Sequence, residues 1–285
     1  VSEPTVLVTG AARGIGRAVV EGFLARGWRA VAGVRDVAAA RAALPADRRL
    51  RVVALDVTDP GQVAEGVARA EEHAGGALAC VVPNAGYAVM GATEDVDLDV
   101  VRRMFETNLF GNAAVVQRAL PAMREAGRGS VVCVSSIGAR LSNPLLGMYH
   151  ASKYGMSAWA EALRVEVRPF GVRVHVVEPG MVNTDFPAAT TPTGAVGRGE
   201  GPYAPLLAEL RAGFRSWRER LGVGPEVVAD AVVAAALDPA TPFRVPVGPD
   251  AVEMGAARER MGDEEFADWL LRYLDLSWGL DGRRP

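Results

Sequence analysis

The sequence predicts an α/β fold: one doubly wound parallel sheet with helices on both faces, in three layers. Three observations carry that expectation. Short β-branched runs alternate with helical apolar spacing from Thr5 to Val247, the order that a parallel sheet with crossover helices requires. The first run, Thr5 to Thr9, leads through Gly10-Ala11-Ala12-Arg13-Gly14-Ile15-Gly16 directly into a helical pattern that continues to Arg26. Leu78 to Val82 is apolar without alternation, which marks a strand buried on both faces. At 285 residues the chain can bury a sizeable core, and no repeat or linker divides it, so residues 1–285 are expected to form a single domain.

The remaining elements follow in order. Arg29 to Val34 reads as the second strand, followed by Arg35-Asp36 and an alanine-rich helix. Arg51 to Leu55 is the third and ends on Asp56-Val57-Thr58-Asp59. A carboxylate there either meets an adenine amino group or caps the helix that starts near Pro60. The fourth strand stops at the small polar turn Pro83-Asn84-Ala85-Gly86. Asp99 to Arg124 carries one long helical pattern. Asn108 sits in its middle despite poor helix propensity, and Pro121 is expected to kink or break it near its end. Ser130 to Ser135 is the fifth strand and delivers Ser135-Ser136 to the sheet edge where open parallel sheets place their ligands. Met148 to Arg168 is the helix bearing Tyr149 and Lys153, and Arg173 to Val177 is the sixth strand, broken by Glu178-Pro179-Gly180.

From Phe186 to Gly201 the chain is Ala, Thr, Pro and Gly without period. That composition predicts a mobile loop too broken to pack as an element. With the helical spacing of Tyr203 to Leu221 it makes up an expected substrate lid, residues 186–224. Pro225 opens a helix to Leu237. Phe243 to Val247 is a last strand placed at the sheet edge by Pro246, and residues 251–285 form an amphipathic helical extension rich in Trp and Leu.

Composition excludes several classes. A net charge of -3 lacks the basic field of a nucleic-acid binder. No apolar run approaches a membrane span, and no signal-peptide pattern precedes the first strand, so a cytoplasmic location is expected. Cys80 and Cys133 lie in apolar runs and are expected to be buried free thiols. His73, His150 and His175 are scattered without metal-ligand spacing, and no metal is expected.

Two features point to chemistry. Glycines at 10, 14 and 16 let a backbone turn tightly toward a pyrophosphate at a helix N-terminus, or simply make a tight βα turn. Lys153 is the only lysine; every other strongly basic side chain is arginine. A compact ammonium four residues after Tyr149 shares its helix face and can stabilise a phenolate, although such pairs are also ordinary on helix surfaces.

With these residues in view, the chain resembles the short-chain dehydrogenase/reductase superfamily, in its single-domain form. Thr9-Gly10 through Gly16 is similar to that family's coenzyme loop, and Asn84-Ala85-Gly86 to its Asn-Ala-Gly turn. Asn108, Ser136, Tyr149 and Lys153 match its catalytic tetrad in order, with the serine thirteen residues before the tyrosine. Pro179-Gly180, Val182 and Thr184 match the segment over the nicotinamide. Pro83 departs from the pattern, since the family often has asparagine there. The Arg35-Asp36 and Pro169 to Arg173 stretches look most like 17β-hydroxysteroid and retinol dehydrogenase relatives.

The resemblance implies a Rossmann-type fold and a ketoreductase-like oxidoreductase that passes a hydride between nicotinamide and a ketone or secondary alcohol. Tyr149 would exchange the proton, Ser136 would hold the substrate oxygen, Lys153 would hold the ribose and lower the Tyr149 pKa, and Asn108 would anchor a water. A homo-oligomer, dimer or tetramer, is implied. An NADP-sensing regulator and a nucleotide-sugar epimerase or dehydratase are the rival readings; the latter branch usually spaces its glycines differently from Gly10, Gly14 and Gly16.

Coenzyme choice is legible at one strand end. Val34 stands where an acid would bind the NAD ribose, while Arg35 and Arg13 can converge on a 2′-phosphate. NADP(H) is therefore expected, with Ile15, Asp56, Val57, Asn84, Ala85 and Gly86 among its contacts. The competing reading gives the ribose to Asp36, which can equally cap the helix it precedes.

Overall fold

Val6, Leu7 and Val8 are wholly shielded from solvent, because the strand they form lies in the middle of the sheet with helices on both of its faces. The computed structural model describes residues 3–186 and 190–278. Within them the chain runs β1 (Thr5–Thr9), α1 (Gly14–Ala25), β2 (Arg29–Val34), α2 (Val37–Ala43), β3 (Leu50–Ala54), α3 (Pro60–Ala74), β4 (Cys80–Val82) and β5 (Val89–Met90). Then come α4 (Leu98–Phe105), a π-helical turn (Glu106–Gly111), α5 (Asn112–Glu125), β6 (Gly129–Val134), α6 (Gly147–Val167) and β7 (Val172–Pro179). The last part holds β8 (Thr191–Pro192), α7 (Gly194–Gly197), α8 (Ala204–Leu221), α9 (Pro225–Leu237), β9 (Arg244–Val247), α10 (Pro249–Arg260) and α11 (Asp263–Tyr273). Residues 187–189 of the expected lid and 279–285 of the expected extension lie outside the described residues.

Seven strands make one sheet in the order β3-β2-β1-β4-β6-β7-β9, every pair parallel. The order reverses between β1 and β4, and at such a switch point the loops at the carboxyl ends part to leave a crevice. One face of the sheet is covered by α1 and α9 through Val19, Phe23, Val228 and Val232. The other is covered by α3, α5 and α6 through Val67, Val115, Met123 and Met156. A third apolar cluster lies beyond the carboxyl ends and joins Met104, Leu141, Leu210, Trp217, Met254 and Phe266. Pro246 does sit on an edge strand, since β9 pairs only with β7.

Three expectations are corrected. The helix over Asp99 to Arg124 is two α-helices joined by the π turn, and Pro121 does not end the second, which continues to Glu125. A proline removes one N–H, and the burial of Ala119 and Met123 on either side of it holds the helix together. The sixth strand is not broken at Glu178: it runs through Pro179, carrying the wholly buried Glu178 into the sheet. There Glu178 is gripped by Arg140 Nε at 2.6 Å and Arg244 NH1 at 2.7 Å.

The third correction concerns the stretch from Phe186 to Gly201, of which residues 191–197 do pack. Thr191 and Thr193 donate backbone N–H bonds to Ala88 and Met90, at 2.8 and 2.9 Å, making a two-stranded ladder of β5 and β8. Val196 and Thr193 are buried behind it. Pairing to a distant segment supplies the order that local composition lacks. Cys80 and Cys133 are free and buried, and burial pushes both thiols up to about 12. No helix among the described residues is long and apolar enough to cross a membrane.

Candidate active site

The crevice at the switch point opens into a cleft of about 1400 Å³. Its floor begins at the N-terminus of α1. Asp36, Asp59 and Asp97 cap the helices that follow them, whereas α1 has no side-chain cap and no acid in its first turn. Its first N–H groups are therefore unclaimed and favour an anion. Gly16 keeps the approach open, since a Cβ there would lie 2.5 Å from the Gly10 carbonyl and 2.6 Å from Asn84 Nδ2. Gly14 has φ +55, a left-handed conformation that side chains oppose. An uncapped helix end behind a cradle that a Cβ would fill fits the pyrophosphate of a dinucleotide.

The next wall is the turn after β4. Thr9 at the end of β1 accepts N–H bonds from Asn84 and Ala85, each at 2.9 Å, and donates to Asn112 Oδ1 at 3.0 Å. Asn112 returns a bond to the Ala85 carbonyl at 2.7 Å. Thr9 and Asn112 thus fix the Asn84-Ala85-Gly86 turn. Sequence reasoning placed Thr9 at the head of the coenzyme loop without this bracing role and passed over Asn112, although it stands four residues after Asn108 at the helical repeat.

Gly10, Arg13, Gly14, Ile15, Gly16, Arg35, Asp56, Val57, Asn84, Ala85, Gly86, Pro179, Gly180, Val182 and Thr184 all line the cleft, with Ser136, Tyr149 and Lys153. Asn108 does not. It is wholly buried, and its amide accepts from the Tyr87 N–H at 3.0 Å and donates to the Tyr87 carbonyl at 2.9 Å and to Ser152 Oγ at 3.0 Å. Its side chain pins the strand after Gly86 to helix α6. Asp56 does not cap α3; Asp59 does, accepting from Gly61 and Gln62 at 2.8 and 3.1 Å. Asp56 instead accepts from the Thr58 N–H and hydroxyl at 2.9 and 2.8 Å. Asp36 caps α2, accepting from Ala39 N–H at 3.0 Å, and neither Arg13 nor Arg35 is ion-paired among the described residues.

Helix α6 presents Tyr149 and Lys153 on one face, both buried. Burial pushes the Tyr149 phenol up to about 12, and the Ser136 hydroxyl pulls the other way. Burial pushes the Lys153 ammonium down to about 8, and Nζ donates to the Val134 carbonyl at 3.1 Å. Desolvation dominates at Tyr149, and the opposing influence is the Ser136 hydroxyl rather than the lysine. Ser136 accepts from the Gly138 N–H at 3.0 Å, which orients its hydroxyl at the end of β6. His150, also at the cleft, is held low, at about 4, by burial.

Beyond Pro179 a buried carboxylate braces the turn. Asp250 accepts the Met181 N–H at 2.6 Å and packs so closely on Gly180 that a Cβ there would collide with it. No motif in the sequence announced Asp250. The far wall is apolar: Met90, Leu141, Leu146, Phe186, Phe214 and Trp217. Among the described residues no group of three or more His, Cys, Asp or Glu side chains is placed to hold a metal.

The short chain dehydrogenase family model matches residues 4–194. An oxidoreductase of Botryotinia fuckeliana, BOA17, is 34% identical over 266 residues, which cover 92% of this chain and 96% of the relative. Among solved structures, a short-chain dehydrogenase from Streptomyces avermitilis superposes with a TM-score of 0.82 at 32% identity, covering 94% of this chain and 96% of the other. One from Burkholderia cenocepacia, in complex with NADP, superposes with a TM-score of 0.72 at 27% identity, covering 96% and 98%. The dinucleotide cradle, the paired Tyr149 and Lys153 behind it and these likenesses agree: the chain belongs to the short chain dehydrogenase family and is an oxidoreductase of that type.

Proposed function

We propose that the protein transfers a hydride between NADP(H) and a lipophilic ketone or secondary alcohol, with Tyr149 exchanging the proton. The observation that carries this reading is that Ser136, Tyr149 and Lys153 share one cleft with the uncapped N-terminus of α1. Bound there, the nicotinamide supplies or accepts the hydride at the carbonyl carbon. Tyr149, held protonated by burial, gives its proton to the carbonyl oxygen in reduction and takes one back in oxidation. Ser136 positions that oxygen, and Lys153 holds the ribose and offsets negative charge on the phenol. Asn108 acts as a positioning residue by fixing Tyr87 and Ser152.

The preference for NADP(H) is supported by Arg13 and Arg35 lining the adenosine end without acidic partners among the described residues, and by Asp36 being engaged as a helix cap. The neighbour that binds NADP points the same way. Residues 186–224 act as the lid, supported by Phe186, Phe214 and Trp217 on the far wall. A homo-oligomer formed through the helices that carry Asn108 and Tyr149 is supported by Phe110, Tyr154 and Val165, all exposed there.

The test is a panel of ketones and secondary alcohols assayed with NADPH and NADH by coenzyme absorbance. Turnover favouring NADPH is expected. Failure to turn over any member would overturn the reading, and a monomer in light scattering would overturn the oligomer.

A further inference from the structure

Helix α8 turns donors toward the cleft and no acceptor. Arg211 and Arg215 line it one helical turn apart, both exposed. Like charges at that spacing repel. Neither arginine is paired with a carboxylate among the described residues, although Arg220, on the same helix, pairs with Asp275 at 3.2 Å. Asp185, which also lines the cleft, pairs with neither. Arg218 is already engaged, donating to Asn183 Oδ1 and the Thr184 carbonyl at 3.1 and 3.3 Å. Trp217 on the same helix, 4% exposed, packs against Phe214 and Tyr273, and its buried indole N–H has no partner. A buried donor without an acceptor is costly. The two exposed, unpaired guanidinium groups at the cleft suit an oxygen-rich anion.

We infer that the substrate is an apolar carbonyl compound, or the corresponding alcohol, carrying a carboxylate or phosphate remote from the reacting carbon, and that Arg211 and Arg215 bind that anion. The inference rests on the oxidoreductase reading of the cleft and adds the chemistry of the substrate's far end. The apolar wall of Met90, Leu146 and Phe214 takes the stem, and the arginines take the charge at the mouth.

The test uses ketones of one chain length that end in a methyl, a carboxylate or a trimethylammonium group. With the whole protein and NADPH, kcat/KM is expected to be about tenfold higher for the carboxylate than for the methyl ketone, falling with added salt, as exposed charge pairs dictate. The ammonium ketone should be poorest. In the double variant Arg211→Gln, Arg215→Gln the carboxylate-to-methyl ratio should fall to about one. A direct readout accompanies it: calorimetric binding of decanoate and of decanol to both proteins. Equal kcat/KM for the three ketones together with equal binding of decanoate and decanol would overturn the inference, as would a ratio unchanged in the double variant. A raised KM for NADPH with the ratio kept would assign the arginines to the coenzyme phosphates, and so overturn it too. No turnover of any ketone, with charge-selective binding lost in the double variant, would sink the proposed ketone reduction while supporting the anion site.

Discussion

On the coenzyme side of the cleft the inward-facing groups come from the carboxyl ends of β1, β2, β4 and β6, and most are placed by backbone. Thr9 holds the Asn84 turn through N–H groups, and Gly16 matters for the side chain it lacks. On the opposite side the groups come from α8 and from the ladder of β5 and β8, and what faces inward is side chain: Phe214, Trp217, Arg211, Arg215. The first wall is specified by the sheet and tolerates little change. The second is a layer laid across it, free to vary with the molecule it must accept.

The contrast can be broken at its centre. Tyr149→Phe should lower turnover by about a thousandfold or more while coenzyme affinity is kept, because it removes a proton donor and almost no volume. Steady-state kinetics with coenzyme titration would check this. Lys153→Arg should be similarly crippled, since a fork cannot replace a compact ammonium in a buried site.

The joint between the two walls is next. Glu178 lies wholly buried between Arg140 and Arg244, which tie β7 to the turn after β6 and to β9. Each arginine reaches a second acid, Glu259 at 3.0 Å and Glu161 at 3.1 Å. Glu178→Gln should destabilise the fold by about 3 kcal/mol, because two partly buried guanidinium groups lose their shared counter-charge. Denaturant unfolding would register it, and a loss below about 1 kcal/mol would show that the pair contributes little.

Smaller effects sharpen the coenzyme side. Arg13→Ala and Arg35→Ala should each reduce the ratio of kcat/KM with NADPH to that with NADH by about tenfold, the scale of one charge-assisted contact. The smallest effect is the pH dependence. Reduction needs the Tyr149 proton, which is held up to about 12, and the Lys153 ammonium, which burial brings from 10.5 to about 8. The lower value governs, so kcat/KM for ketone reduction should be level below about 8 and decline above it. The lysine is harder to protonate folded than unfolded. Its contribution to stability is therefore full above 10.5 and is lost as pH falls through about 8, so unfolding free energy should rise with pH across that window.

How much of this could be read from sequence follows the same division. β2 was legible to the residue as Arg29–Val34, and α9 as Pro225–Leu237, because branched runs and an N1 proline act locally. The glycine turn was legible because only glycine tolerates the approach that Gly16 makes. The stretch around Thr191 was misread as loop, since its order comes from Val89 and Met90, about a hundred residues earlier, in a ladder that no local propensity encodes. Asn108 stood out by its poor propensity, but spacing could not show that its amide turns away from the cleft to Tyr87 and Ser152. Asp250 was invisible for a related reason: its partner, the Met181 N–H, is brought to it only by the packing of α10 against β9, the strand next to β7.

The π turn at Glu106–Gly111 divides one helical path into two duties. Valine and methionine before the turn, Val101 and Met104, face the substrate-side cluster, while Val115, Ala119 and Met123 after it face the sheet. A single helix would present one stripe. An extra residue rotates everything downstream by about 100°, and a π turn is the way a helix absorbs such an insertion without ending. Gly111 lets the widened turn close onto the Val57 carbonyl. One extra residue in the turn is thus enough to split the duties of the two halves. A helix that lacked it would turn its second half toward the wrong core.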